Sequence, residues 1–264
     1  MIVEKSETKS SKPGLDSALR TTPIKPLNDP LSFCVVIPMY NEEANAQKCV
    51  TAIYNHIKNL KMRTAIIAVN DGSKDRTSEL LQAMKPQIPG LIVEEHAANQ
   101  GYGGANVTGA QRGYREGFEY ILFMDGDLTQ RASYIDDFIV EMRKGTDFIK
   151  ATRYAKGGGV DGVPFDRWLI SYVGNKVAKF FFRLPLSDYT NGFRAIRAEF
   201  VPKIKSTERG FAYLIEEIAQ VSKLGKTYGE VPYTLTVRQE KFSTSKFNYS
   251  FRTYFNYLKH LFKR

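Results

Sequence analysis

The chain has 264 residues, of which 42% are hydrophobic and 12% aromatic; this composition is typical of folded globular domains and excludes a wholly disordered protein. The net charge of +10 is compatible with simple solubility, with a nucleic-acid partner or with an anionic membrane surface. The sequence has no run of about 18 apolar residues and no apolar segment near its start, so we expect neither a transmembrane helix nor a secretory signal. Cys34 and Cys49 lack the spacing of a disulfide framework or metal site, and we expect buried thiols in a reducing compartment.

Residues 1–31 are rich in Ser, Thr, Lys and Pro, so we expect a flexible N-terminal tail. Beyond it, short apolar runs alternate with segments of helical apolar spacing. The runs predict strands at 33–37, 64–69, 91–95, 120–124 and 147–151, and the segments predict helices at 43–60, 75–85, 104–117 and 133–144. This order predicts an α/β fold whose mostly parallel, Rossmann-like sheet has helices on both faces.

The pattern changes after the fifth predicted strand. A glycine-rich loop at 156–164 is followed by a predicted helix at 167–183, a turn at 187–193, a helix at 211–224 and strand-like residues at 227–237. We find no internal repeat.

The C-terminal residues 247–264 contain aromatic and basic side chains and no acidic ones. Their apolar residues follow helical spacing and predict an amphipathic helix: Phe251, Tyr254, Phe255, Leu258 and Phe262. Such a helix can pack on the core of the domain, or it can lie on an anionic membrane surface.

Polar residues follow three of the predicted strands. Asn41-Glu42 comes after the first, Asn70-Asp71 after the second and Asp125-Gly126-Asp127 after the fourth. One such cluster is often only a helix cap, but three at the same sheet edge are hard to explain by capping. The spacing of Asp125 and Asp127 suits a hard cation that also binds diphosphate oxygens and water.

Five segments, in this order, resemble the inverting family 2 glycosyltransferases of the GT-A fold: PMYNEE, VNDGSKD, MDGDLTQ, ATRY and SDYTNGFR. The resemblance spans about residues 33–246 and is strongest to dolichyl- or polyprenyl-phosphate hexosyltransferases, with the mannosyltransferases as the type. It implies a GT-A catalytic domain at 32–246. It also implies hexose transfer from a donor such as GDP-mannose or UDP-glucose to a lipid phosphate, with Mg²⁺ or Mn²⁺ as cofactor.

The resemblance also assigns roles to single residues. Asp125 and Asp127 would bind the metal, and Asp127, Arg153 and Arg238 would be catalytic. Between Arg238 and Lys246 the chain is two residues longer than the family pattern, so Lys241 competes with Lys246. The residues assigned to the nucleotide sugar are Pro38, Tyr40, Glu42, Val69, Asp71, Asp125, Gly126, Asp127, Arg153, Arg238 and Lys246.

A lipid phosphate brings its own negative charge, so the reaction needs no general base. The alternative is a soluble or glycan hydroxyl acceptor, which would need an essential carboxylate such as Asp188 or Glu216. A nucleic-acid-binding module is a remote alternative, because a basic face with stacking aromatics is confined to the C-terminal segment. We therefore expect no nucleic-acid partner.

We expect a cytoplasmic enzyme peripheral to the cytoplasmic face of a membrane, bound directly to the anionic surface or through a membrane-anchored subunit. The glycine-rich stretch 99–109 predicts a tight turn into a helix whose N–H groups lie near the donor. His56, His96 and His260 share no spacing, and we assign them no catalytic role.

Overall fold

The computed structural model describes residues 31–236. Within that range the chain forms six α-helices and nine strands. The helices are α1 (Ala46–Ile57), α2 (Thr77–Met84), α3 (Gly101–Arg115), α4 (Ile135–Arg143), α5 (Phe165–Phe182) and α6 (Tyr213–Leu224). The strands are β1 (Ser32–Met39), β2 (Arg63–Asn70), β3 (Leu91–Glu95), β4 (Tyr120–Phe123), β5 (Phe148–Thr152), β6 (Gly159–Val160), β7 (Arg194–Arg197), β8 (Tyr228–Pro232) and β9 (Thr234–Leu235).

Seven strands form one sheet in the order β3-β2-β1-β4-β7-β5-β8, and β6 pairs with β9 in a small second sheet. All neighbouring strands of the main sheet are parallel except β7, which is antiparallel to both β4 and β5. Because β4 and β5 both oppose β7, they point the same way. The carboxyl ends of β1, β2, β4 and β5 therefore meet at one edge.

The alternation of side chains along β1 shows why helices cover both faces. Phe33, Val35 and Ile37 belong to one core with residues of α1, α2 and α4. Cys34 and Val36 belong to a second core with residues of α3, α5 and α6. A strand with both faces apolar is stable only between two helical layers. The predicted α/β fold with a mostly parallel sheet is confirmed.

Strand β7 was not predicted from the sequence. Its residues RAIR include two arginines, and the side chain of Arg194 is fully buried where the sheet meets α6. Glu217 of α6 forms an ion pair with the Arg194 guanidinium, which also donates to the carbonyl oxygen of Gly192 at 2.8 Å. Strands are recognised in a sequence by apolar residues at their buried positions. Strand β7 has a buried arginine instead, whose charge is neutralised by a distant helix, so the pattern does not reveal it.

Most predicted helices start or end within three residues of the observed bounds, and the strand-like residues 227–237 divide into β8 and β9. Cys34 and Cys49 are buried free thiols, as expected. Leu31 belongs to the core; the rest of the predicted tail and the predicted helix 247–264 lie outside the described residues. Across 31–236, no helix is both long and apolar enough to span a bilayer.

The Arg194–Glu217 pair gives a prediction for stability. Glu217→Ala is expected to lower the free energy of unfolding by about 3 to 5 kcal/mol, because it leaves a buried guanidinium without its counter-charge. Urea unfolding followed by circular dichroism measures the loss. The double variant Arg194→Met with Glu217→Leu should recover most of it. Glu199→Gln, at a half-exposed partner of Arg197, is the control and should cost less than about 0.5 kcal/mol. Equal losses in Glu217→Ala and the control would contradict the prediction.

Candidate active site

The structure brings most of the predicted site residues to the common edge of the sheet. They lie on or directly after β1, β2, β4 and β5: Pro38, Tyr40, Glu42, Val69, Asp71, Asp125, Gly126, Asp127 and Arg153. Arg238, Lys246 and the competing Lys241 lie outside the described residues. The described chain ends near this edge, because the N–H and hydroxyl of Thr236 reach the carbonyl oxygen of Thr129 at 3.5 and 3.3 Å.

The Asp125-Gly126-Asp127 segment follows β4 and is fixed by neighbouring side chains. The Tyr102 hydroxyl donates to Asp125 Oδ1 at 3.2 Å, and Gln130 Nε2 donates to Asp125 Oδ2 at 2.7 Å. The N–H and hydroxyl of Thr129 donate to Asp127 Oδ1 at 3.2 and 2.7 Å. Both carboxylates are thus oriented before any ligand arrives.

The electrostatics of this pair fit a divalent cation. Burial, and then the like charge of Asp127, raise the pKa of Asp125 to about 6. A cation between the two carboxylates would relieve that repulsion. Within residues 31–236 there is no cluster of three or more His, Cys, Asp or Glu side chains that could hold a metal. A metal on this pair would therefore need ligand oxygens from substrate or water, as Mg²⁺ and Mn²⁺ readily accept.

The turn 187–193 presses its glycine against the acidic pair. A Cβ atom on Gly192 would lie 2.2 Å from the Tyr102 hydroxyl and 2.9 Å from Asp125 Oδ1. Glycine is therefore required here by close approach. In contrast, a Cβ on Gly126 would meet Met39 Cγ at 3.4 Å, an ordinary contact. An alanine at position 126 would therefore fit this backbone.

Arg153, directly after β5, is held by the same turn. Its Nε donates to Asp188 Oδ2 at 2.7 Å, and its Nη2 donates to Asp188 Oδ1 and to the Thr190 hydroxyl, both at 3.0 Å. Burial alone would raise the pKa of Asp188, but the charge and hydrogen bonds of Arg153 outweigh it and lower the pKa. Asp188 is thus a fixed counter-charge, which is a poor general base. Phosphate binding by Arg153 stays a prediction.

Asp71, after β2, also has an internal role that the sequence did not reveal. Its Oδ1 accepts from His96 Nδ1 at 2.6 Å and from the N–H of Gln100 at 2.8 Å, and its Oδ2 accepts from the N–H of Gly101 at 2.9 Å. The stretch 99–109 does form a turn into a helix, but these two N–H groups face Asp71. Oδ2 makes one hydrogen bond fewer than Oδ1 and is the oxygen better placed to accept from a base.

Glu216, the other carboxylate considered as a base, fixes a loop. Its oxygens accept from the hydroxyls of Ser206 and Thr207, both at 2.6 Å, and from the N–H of Glu208 at 3.0 Å. Burial alone would raise the pKa of Glu216, but these hydrogen bonds outweigh it and hold the pKa below its usual value. Glu216 is therefore also a poor candidate base.

Several residues around the acidic pair were missed by sequence reasoning. They either contact the two carboxylates or hold the residue that does: Tyr102, Thr129, Gln130, Gly192 and Arg194. Each lies in a segment that was already singled out, either the glycine-rich stretch 99–109, MDGDLTQ or SDYTNGFR. His96, given no catalytic role, orients Asp71, and His56 contacts Asp136 on α4 at 3.0 Å.

An α/β sheet with helices on both faces and an acidic pair beyond the central strand defines the GT-A class of fold. Residues 34–205 match the glycosyl transferase family 2 domain, and the chain belongs to that family.

Three related proteins have names that refer to mannose transfer and a polyprenyl-type lipid. The dolichol-phosphate mannosyltransferase of Pyrococcus furiosus is 31% identical over 238 residues, which cover 88% of this chain and 63% of that protein. The chain thus spans less than two thirds of that relative. The polyprenol monophosphomannose synthase of Mycolicibacterium smegmatis is 28% identical, with 78% of this chain and 77% of that protein covered. The undecaprenyl-phosphate mannosyltransferase of Micrococcus luteus is 25% identical, with 77% and 83% covered.

Solved structures share the fold at low identity. Glucosyl-3-phosphoglycerate synthase from Mycobacterium tuberculosis, in complex with Mn²⁺, uridine diphosphate and phosphoglyceric acid, has a TM-score of 0.61 and 17% identity. The match covers 81% of this chain and 72% of that one. It supports the GT-A fold alone.

The raised pKa of Asp125 predicts a pH-dependent stability in the absence of metal. The protonated carboxyl is favoured in the folded state, so its contribution is complete below pH ~4 and is lost as the pH rises through about 6. From pH 4 to pH 8, the stability of Asp125→Asn relative to wild type should therefore rise by about 1 to 2 kcal/mol. Urea unfolding in a chelator measures this difference.

Asp137→Asn, at an exposed carboxylate on α4, is the matched control. Its difference from wild type should change by less than about 0.5 kcal/mol over the same pH range. A flat difference for Asp125→Asn would contradict the prediction.

Proposed function

We propose that this chain is a metal-dependent glycosyltransferase that moves a hexose from a nucleotide-sugar donor to a polyprenyl or dolichyl phosphate, with inversion at the anomeric carbon. The observation that carries the proposal is the acidic pair Asp125 and Asp127, held beyond β4 beside Arg153 and the turn 187–193. The names of the lipid-phosphate mannosyltransferase relatives support the acceptor class and favour mannose as the sugar.

The donor half of the reaction needs charge neutralisation. Mg²⁺ or Mn²⁺ on Asp125 and Asp127 would stabilise the negative charge that develops on the leaving diphosphate. Tyr102 and Gln130 hold the Asp125 carboxylate, and Thr129 holds that of Asp127, so little reorganisation is needed when the cation binds. Pro38, Tyr40, Glu42, Val69 and Asp71 would surround the nucleoside.

The acceptor half is better suited to phosphate than to a hydroxyl. A phosphate oxygen already bears negative charge; it would form the new bond to the anomeric carbon as the bond to the diphosphate oxygen breaks. A hydroxyl would need a base, and both candidates, Asp188 and Glu216, are occupied by internal hydrogen bonds. Arg153, with the predicted Arg238 and Lys246, would supply positive charge to the phosphates.

The lipid acceptor places the reaction at a membrane surface. The excess of Lys and Arg over Asp and Glu across the chain, 38 against 28, favours contact with anionic lipid. The predicted helix 247–264 or a membrane-anchored subunit would provide an attachment, and the cytoplasmic face is the expected side.

The two glycines near the acidic pair test the metal role. Gly192→Ala should weaken Mn²⁺ binding in the presence of a nucleoside diphosphate at least about tenfold, since the added Cβ displaces Asp125 or Tyr102. Gly126→Ala adds the same atom in ordinary contact and should change the affinity less than about twofold. Calorimetric titration measures both. Equal affinities in the two variants would argue against metal at Asp125.

The acceptor class is tested by transfer of radiolabelled sugar. With GDP-mannose or UDP-glucose and Mn²⁺, the full chain should label undecaprenyl or dolichyl phosphate and not the corresponding polyprenol. Asp127→Asn should lower the transfer rate at least about 100-fold, because a carboxylate ligand of the divalent cation is lost. Transfer to a glycan hydroxyl with no lipid-linked product would overturn the acceptor assignment and leave the donor chemistry standing.

A further inference from the structure

Helix α5 carries an unusual exposed surface. Among the described residues, eight large apolar side chains are strongly exposed, and six of them lie on this single helix. They are Phe165, Leu169, Ile170, Val173, Val177 and Phe180. The exposures of Phe165 and Phe180, at the two ends, are 72% and 71%. Exposed apolar patches of this kind mark interaction surfaces.

The helix is apolar on one side because of its residue spacing. Phe165, Leu169, Val173 and Phe180 recur at intervals of three or four residues and multiples of them, so they share one side of the helix. The buried residues Asn175, Ala178 and Phe182 follow the same spacing on the opposite side. The exposed stripe therefore faces away from the domain.

The buried side of α5 is bonded directly to the candidate site. The Ser171 hydroxyl accepts from the hydroxyl of Tyr154 at 2.8 Å and from Arg153 Nη2 at 3.3 Å. Asn175 Nδ2 donates to the hydroxyl of Thr190, in the turn that also contains Gly192, at 3.1 Å. Whatever binds the exposed stripe therefore lies next to the site, with the thickness of one helix between them.

The charged residues around the apolar stripe indicate what kind of surface it would bind. Between residues 165 and 183 the helix and its cap carry Arg167, Lys176, Lys179 and Arg183 against one acid, Asp166. Lys176 and Lys179 are exposed beside the apolar stripe. Apolar side chains flanked by Lys and Arg are the composition of helices that lie in the headgroup region of anionic bilayers.

We propose that α5 docks on an anionic membrane surface, with its apolar stripe in the acyl boundary and its cations among the headgroups. This inference rests on the proposed lipid-phosphate acceptor, and it adds a membrane contact distinct from the predicted helix 247–264. Docking through α5 would hold the site within about one helix thickness of the bilayer, near the phosphate of a membrane-embedded polyprenol.

The single tryptophan of the chain, Trp168, is half-buried on α5 and stacks on the exposed Phe165 with ring centroids 5.6 Å apart, so it lies close enough to the stripe to report on this contact. The full chain is mixed with vesicles of phosphatidylcholine and phosphatidylglycerol that contain no polyprenyl phosphate. Phospholipids brominated on their acyl chains should quench Trp168 fluorescence, because insertion of Phe165 would bring the adjacent Trp168 ring close to the acyl region. Vesicles of phosphatidylcholine alone should bind more weakly, since the headgroup attraction is absent.

Two matched substitutions separate docking from general surface hydrophobicity. Val173→Asp, within the stripe, and Val140→Asp, on α4, change side chains that are 51% and 54% exposed. Val173→Asp should weaken co-sedimentation with anionic vesicles at least about tenfold, and Val140→Asp less than about twofold. Thermal unfolding of each variant checks that the fold is intact.

Other occupants of the stripe give different results. If residues 237–264 or a second copy of the chain cover it, brominated lipid will not quench Trp168 and both aspartate variants will bind vesicles equally; either result overturns the proposal. In the case of a second copy, Val173→Asp will instead shift the sedimentation coefficient.

A short-chain, water-soluble isoprenyl phosphate separates this proposal from the proposed function. Val173→Asp should transfer sugar to it at the wild-type rate and lose activity only on long-chain acceptor in vesicles. Loss on both acceptors would show that α5 acts through the catalytic site and would overturn membrane docking as its role. If wild-type protein is quenched by brominated lipid yet labels neither acceptor, the proposed function fails and the docking surface stands.

Discussion

Arg194 carries its charge into the centre of the domain, where water cannot solvate it and Glu217 must neutralise it. Its guanidinium also lies 3.9 Å from the centroid of the Phe123 ring and donates to the carbonyl oxygen of Gly192. These contacts join the turn 187–193 and the adjoining strand β7 to β4 and α6, which are distant from them in sequence. The position of Gly192 against Asp125 follows from this arrangement, so the geometry of the acidic pair depends on a charge that never meets the substrate.

The five carboxylates considered for the site fall into two groups according to their contacts. Asp71, Asp188 and Glu216 accept several hydrogen bonds from the protein itself and hold a helix start, an arginine and a loop in place. Asp125 and Asp127 also accept hydrogen bonds, but burial, and then the like charge of Asp127, raise the pKa of Asp125 to about 6. A cation bound between the two carboxylates would supply the counter-charge that this buried pair lacks.

The sequence was sufficient for features governed by local pattern. Buried parallel strands such as 64–69 are continuous apolar runs, and helices such as α4 have an apolar stripe, so both were predicted. Strand β7 was not, because Arg194 is acceptable there only through Glu217, 23 residues away. The same limit applies at the site: the motif marks Arg153, but its pairing with Asp188, 35 residues away, is a property of the folded chain. The exposed stripe of α5 was hidden because a helix with two apolar sides resembles a buried one.

The commitment of Arg153 to Asp188 bears on how an anionic acceptor is recognised. An arginine already neutralised by a bidentate carboxylate attracts a phosphate less than an unpaired one would, although its remaining N–H groups still donate. Net attraction for the phosphate would then need further cations, and the sequence predicts Arg238 and Lys246 for this role, with Lys241 as a competitor to Lys246.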